Sequence, residues 1–152
     1  AFRLSSVTPF SKKLYRTDKR DEAKQEYAHM HAIVKSAVAA NALGFMLLED
    51  NNFEAAKIKF QEALAINPHA AAPKMNLAEL AAREKKFDEA IGFYRQTVKD
   101  DSTRGLAYLR LGQLIIASGG SKEEARSIWR RGISKTADSE LLSKLQEALA
   151  GL

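Results

Sequence analysis

The chain has 152 residues, 45% of them apolar and 28% charged, with a formal net charge of +5. That is enough apolar material for one continuous core, and no apolar run approaches the ~18 residues that a membrane-spanning helix needs. Cysteine is absent, which excludes disulfides, thiolate zinc sites and cysteine nucleophiles.

Residues 1–17 read as a basic N-terminal extension. Arg3, Lys12, Lys13 and Arg16 are its cations, Ser5, Ser6, Thr8 and Ser11 its hydroxyls, and no acid occurs before Asp18. Residues 1–36 hold 8 Lys/Arg against 4 Asp/Glu, and the remainder 16 against 15, so the basic excess belongs to this end. Such a composition is that of an organelle-targeting segment, plastid or mitochondrial. An ordinary basic tail on a cytoplasmic protein has the same composition.

Residues 18–36 follow as a helix that stands alone, half of a degenerate unit. Asp21-Glu22-Ala23 with Tyr27 echoes Asp88-Glu89-Ala90 with Tyr94. One continuous helix from Asp18 to Glu49 is the alternative, because neither Gly nor Pro intervenes before Gly44.

From residue 37 the sequence repeats. Leu43-Gly44 recurs as Leu77-Ala78 and Leu111-Gly112, at intervals of 34 and 34. The pairs Ala56/Phe60, Ala90/Tyr94 and Ala125/Trp129 recur at 34 and 35. Ala63-Leu64, Thr97-Val98 and Gly132-Ile133 complete each stripe. Spacings of three and four place these residues on one face of a helix. The small residue of the first helix admits the aromatic of the second, so each unit is a helical hairpin: 37–70, 71–104 and 105–138. The extra residue of the third unit falls in Ser118-Gly119-Gly120-Ser121, where an insertion costs little. Asn51 with Glu54, and Ser121 with Glu124, have capping-box spacing before the second helices. Asn67-Pro68 ends the first unit. Residues 139–152 form a final helix behind Asp138, with Leu141, Leu142, Leu145 and Leu149 covering an otherwise open end.

Leu43, Gly44, Ala56, Phe60, Ala63 and Pro68, repeated at this period, resemble the tetratricopeptide repeat signature over 37–137. The departures are Ala40 and Lys74, where the family carries the first-helix aromatic that Tyr108 supplies, and Ser102 and Ala137 at the closing proline. The resemblance implies an all-α fold. That fold is a right-handed α-solenoid of three helical hairpins, with a preceding half-repeat helix and a C-terminal capping helix. It also implies a non-enzymatic scaffold that takes a partner's helix or extended segment in a concave groove lined by first helices.

No constellation for chemistry competes with that reading. His29 and His31 stand two apart and His69 is remote, so no helical pair chelates a metal. No glycine-rich phosphate loop follows a strand, and no nucleophile–base–orienter set can be assembled. Neither a cofactor, a metal nor a small-molecule substrate is called for. Arg126, Arg130, Arg131 and Lys135 make a positive stripe, and its plainer reading is a solvated convex face. Nucleic acid is disfavoured because Trp129, the aromatic among these cations, occupies a packing position.

Carried over from the family, the groove positions are Val38, Asn41, Phe45 and Leu48 in the first unit. Met75, Asn76, Glu79 and Arg83 follow in the second, with Leu106, Leu109, Arg110 and Gln113 in the third. The expected groove is apolar at its centre, with Phe45 and Leu109 as anchors and Asn41, Asn76 and Arg110 beside them for polar groups. The alternative to a scaffold or assembly factor is a permanent structural accessory subunit of a larger complex, such as one on an organelle membrane. Its basic arm would then lie on acidic partners or a membrane surface. The chaperone-binding members of the family grip a C-terminal carboxylate with two lysines, two asparagines and an arginine. Here Asn76 and Arg110 match, whereas Asn41 and Leu106 replace the lysines and Phe45 replaces an asparagine. Without both lysines most of the attraction for a carboxylate is lost. Calorimetric titration with a chaperone tail peptide should therefore give no micromolar binding, and micromolar affinity would contradict this reading of the groove.

Overall fold

The computed structural model describes residues 19–152, so the basic arm with Arg3, Lys12, Lys13 and Arg16 lies outside the described residues. Among these residues all regular structure is α-helical. The eight helices are α1 (Arg20–Val34), α2 (Ala37–Glu49), α3 (Phe53–Ile66), α4 (Ala71–Arg83), α5 (Phe87–Asp100), α6 (Gly105–Ala117), α7 (Lys122–Lys135) and α8 (Ser139–Ala150). From α2 to α7 their lengths alternate between 13 and 14 residues. No described helix is long and apolar enough to cross a membrane. The helices fall into two compact units, one ending at Pro68 and one running from His69 to Leu152.

In the first unit α1 packs on α2, and α2 on α3. Helix α1 stops before α2 starts, so the segment is two helices and not one. Lys35 takes a left-handed φ of 44°, and the Ser36 hydroxyl then caps α2 by accepting from the Ala39 N–H at 3.3 Å. Ala23, Tyr27 and Met30 of α1 close against Ala39, Leu43 and Met46 of α2. Around this apolar contact Arg20 reaches Glu49 at 3.2 Å and Asp50 at 2.8 Å, and Lys24 also pairs with Asp50. The Lys24 hydrogen bond holds the Asp50 carboxyl below its ordinary range. His31 links α1 to Glu62 of α3 at 3.1 Å. The core of the hairpin is Gly44 against Phe60: a Cβ at Gly44 would lie 2.6 Å from the ring.

The second unit pairs α4 with α5 and α6 with α7, with α5 against α6 and α8 against both α6 and α7. The glycine–aromatic contact returns: a Cβ on Gly112 would fall inside the Trp129 indole, and one on Gly132 would lie 2.7 Å from the Tyr108 Cβ. With the rings this close, the Trp129 indole N–H donates to the Leu109 carbonyl at 3.1 Å. The single polar atom of the buried ring is thereby satisfied.

The departures from the repeat signature are compensated locally. Lys74, at an aromatic position, is 5% exposed, and its ammonium pairs with Asp100, whose other oxygen faces His69 at 3.3 Å. The Lys74 hydrogen bond pulls the Asp100 carboxyl below its usual value. Asp101, before the position where a proline would close the unit, turns the chain by accepting from the Thr103 N–H at 3.1 Å and the Thr103 hydroxyl at 2.6 Å. Beside Ala137, Asp138 caps α8 by accepting from the Glu140 and Leu141 N–H groups.

One cap differs from the sequence reading. Helix α3 is capped by Asn52, whose side chain accepts from the Ala55 N–H, and not by Asn51. Asn51 instead adopts φ 61° to reverse the chain after α2. Lys85 at φ 60° and Gly119 at φ 80° occupy the same place in the next two turns. The inserted residue of the third unit follows directly: three residues separate α2 from α3 and α4 from α5, and four separate α6 from α7.

Two glycine-to-alanine substitutions test the close approach. Gly112→Ala should destabilise the protein by about 1–3 kcal/mol through overpacking, with a change in Trp129 fluorescence. Gly92→Ala, in an exposed helical position with nothing within 4 Å of its Cβ, should stabilise it by up to about 1 kcal/mol. Urea unfolding of the pair reads both, and equal effects would sink the packing account.

Candidate functional site

Helix α6 presents two faces. Its small and aromatic residues enter the core, and residues 106, 110 and 113 point outward. The groove positions of the second unit collect around that outer face. Glu79 and Arg83 of α4 form an ion pair at 3.5 Å, and Arg110 of α6 donates to the Gln113 carbonyl at 3.3 Å. Glu79, Arg83, Arg110 and Gln113 line one cleft of about 310 Å³, with Tyr94 of α5 among its lining. On the other side of the Arg110–Gln113 ridge lies a cleft of about 390 Å³, lined by Leu106, Leu109, Arg110 and Gln113 together with Lys144, Glu147 and Ala148 of α8.

Two features depart from the apolar groove expected. Leu48 is 5% exposed and Leu109 is 6% exposed, so both are chiefly core residues. Leu109 serves the core twice, by its side chain and by the carbonyl that accepts from Trp129. Met75 is half-buried and packs on the same core. The cleft surface is left to Leu106, 38% exposed, and to the polar groups. In the first unit Val38 and Phe45 are exposed at 57% and 41%, and Asn41 is half-buried. Asn76 of α4 is half-buried as well.

Sequence reasoning missed Tyr94 as a cleft residue because its repeat position marks it as core, and it is both. It missed α8 because a capping helix was assigned only its leucine face. The i, i+3, i+4 set Lys144, Glu147, Ala148 was the available signal. Burial, with the neighbouring Glu79 carboxylate, pushes the Tyr94 phenol up to about 12, and Arg110 opposes the shift. Among the described residues no cluster of His, Asp or Glu could hold a metal ion.

A model of the tetratricopeptide repeat matches residues 47–101. Over that stretch the chain resembles the tetratricopeptide repeat. Solved structures of the same fold include two MamA proteins. One is 21% identical with a TM-score of 0.70, over 82% of this chain and 68% of its own. The other is 20% identical with a TM-score of 0.72, over 93% and 77%. A MamA RS-1 ArsTM double mutant is 14% identical with a TM-score of 0.72, over 97% and 81%. No curated protein matches the sequence. Tetratricopeptide repeats are protein–protein interaction scaffolds, typically without catalysis of their own.

The phenol provides a test of the cleft's burial. A folded-state value above the ordinary ~10 means that the unfolded chain ionises first. The stability contributed by Tyr94 is therefore complete below about pH 10 and is lost between about 10 and 12. Urea midpoints across that range should fall more steeply for the native sequence than for Tyr94→Phe, with the two similar at pH 7. Parallel curves would place Tyr94 in an ordinary aqueous setting.

Proposed function

We propose that this protein holds a helix or extended segment of a partner protein along the outer faces of α4, α6 and α8, with the Arg110–Gln113 ridge at the centre of contact. The observation that carries the reading is that one pair of side chains borders two clefts at once. A segment laid across the ridge would meet both. Its polar groups would bond to Arg110, Gln113, Asn76 and the Glu79–Arg83 pair, and an aliphatic side chain would rest on Leu106 and Ala148. Arginine at the middle of an interface is a common energetic centre, because its planar head bonds several acceptors while its stem packs. In the first unit, α2 offers a set of its own in Val38, Asn41 and Phe45. The buried Leu48 and Leu109 support these surfaces from below.

This arrangement favours a segment with more polar character than the apolar-centred groove expected from the sequence would call for. A photo-crosslinking amino acid at Gln113 should capture a partner that the same group at Gln96, on the exposed side of α5, does not. Once the partner is purified, Arg110→Glu should weaken binding about tenfold or more, with the helical circular dichroism unchanged. Equal capture from the two positions, or full affinity in the Arg110 variant, would refute the proposed contact.

A further inference from the structure

We propose that the second unit has another docking site, between α5 and α7, for an acidic segment of a partner protein. It does not depend on the groove above. The cleft there is about 680 Å³, larger than either cleft beside Arg110, and shares no lining residue with them. Arg95 and Lys99 of α5 stand on one side, Arg131 and Lys135 of α7 on the other. Glu124 is the sole carboxylate of the lining, and it is already paired with Arg95 at 2.6 Å. Lys99, Arg131 and Lys135 have no ion-pair partner among the described residues, although carboxylates neutralise Lys74 in the same unit and Arg126 on the same helix.

The cleft also has a buried polar feature that a solvated face would not need. Tyr108, 1% exposed, is part of its lining, and among the described residues no group bonds to the phenolic oxygen. A buried hydroxyl left without a partner destabilises the fold, and a docked segment that supplies an acceptor removes that penalty. Repeat position explains why an aromatic stands at 108; it does not explain the hydroxyl, since phenylalanine would fill the same space.

The lining identifies the occupant. Three cations without partners call for carboxylates, and the aliphatic Val98 and Ile128 between them call for apolar side chains, so the fit is to a peptide that alternates the two. A single-stranded nucleic acid would need exposed aromatic faces for stacking, yet Tyr108 and Trp129 are buried. A lipid surface would need a broad apolar face rather than a cleft. Arg130 and Arg131 extend the positive surface along α7 into an adjoining cleft of about 410 Å³, giving an approaching acidic chain a longer field to follow.

The test uses the full chain and a labelled peptide of alternating glutamate and leucine, followed by fluorescence anisotropy. Saturable binding that weakens with added salt is expected. Lys99→Glu combined with Arg131→Glu should reduce affinity roughly tenfold or more, and Lys19→Glu, on the surface of the first unit, should leave it unchanged. Tyr108→Phe should weaken the peptide while leaving the melting temperature of the free protein unchanged or higher, an outcome that a merely structural tyrosine would not give. Circular dichroism of each variant establishes that it folds. The proposal is overturned by an absence of saturable binding or by equal losses in the Lys19 variant and the Lys99/Arg131 double variant. It is also overturned if a lysine–leucine peptide, a single-stranded RNA or phosphatidylserine vesicles bind as well as the acidic peptide.

Discussion

Two of the three hairpins of this protein depend on a backbone brought so close to an aromatic ring that no side chain fits between them. Gly44 faces Phe60, and Gly112 faces Trp129, at distances where even a methyl group collides. Ala78, fully buried with Tyr94 in the second unit's core, is the same contact with one carbon added. The ring fills the space between helices, the small residue sets their separation, and the tight fit supplies much of the dispersion energy of the pair. At Trp129 the polar atom of the buried ring is answered by the Leu109 carbonyl.

That contact also decides what the remaining faces can do. Once residues 108, 111, 112 and 115 of α6 are committed to the core, residues 106, 110, 113 and 117 are left to look outward. The core residue Tyr94 touches the Arg110 cleft, and the core residue Tyr108 touches the cationic one. Core and clefts therefore share side chains, and the floor of each cleft is made from the core itself.

The repeat was legible because period and packing coincide: a small residue and an aromatic recurring at 34 residues can hardly mean anything else. The caps at Ser121 and Asp138 were legible for the same reason, being local. What escaped the sequence was non-local or depended on the sign of a dihedral. Lys74 looked like a lost aromatic contact, yet Asp100, 26 residues away, turns it into a buried ion pair. Asn51 carried the right residue type for a cap, but the turn needed it for its left-handed φ, which passed the cap to Asn52. Leu109 was placed in the groove by its repeat position, whereas the larger gain lies in burying it beneath Trp129. The proposed partner surface was named from repeat positions, but the balance between apolar and polar groups there was not legible, because that balance depends on which side chains the core withdraws.

The recurring turn has a consequence for the chirality of the chain. Asn51, Lys85 and Gly119 reverse direction with φ between 60° and 80°, a region that penalises L-residues and is equally natural for their mirror images. The three residues have little in common as side chains, so what the fold requires there is a handedness and not a functional group. In a chemically synthesised chain, those are the sites at which a D-amino acid would be at ease while every neighbouring helical position rejected it.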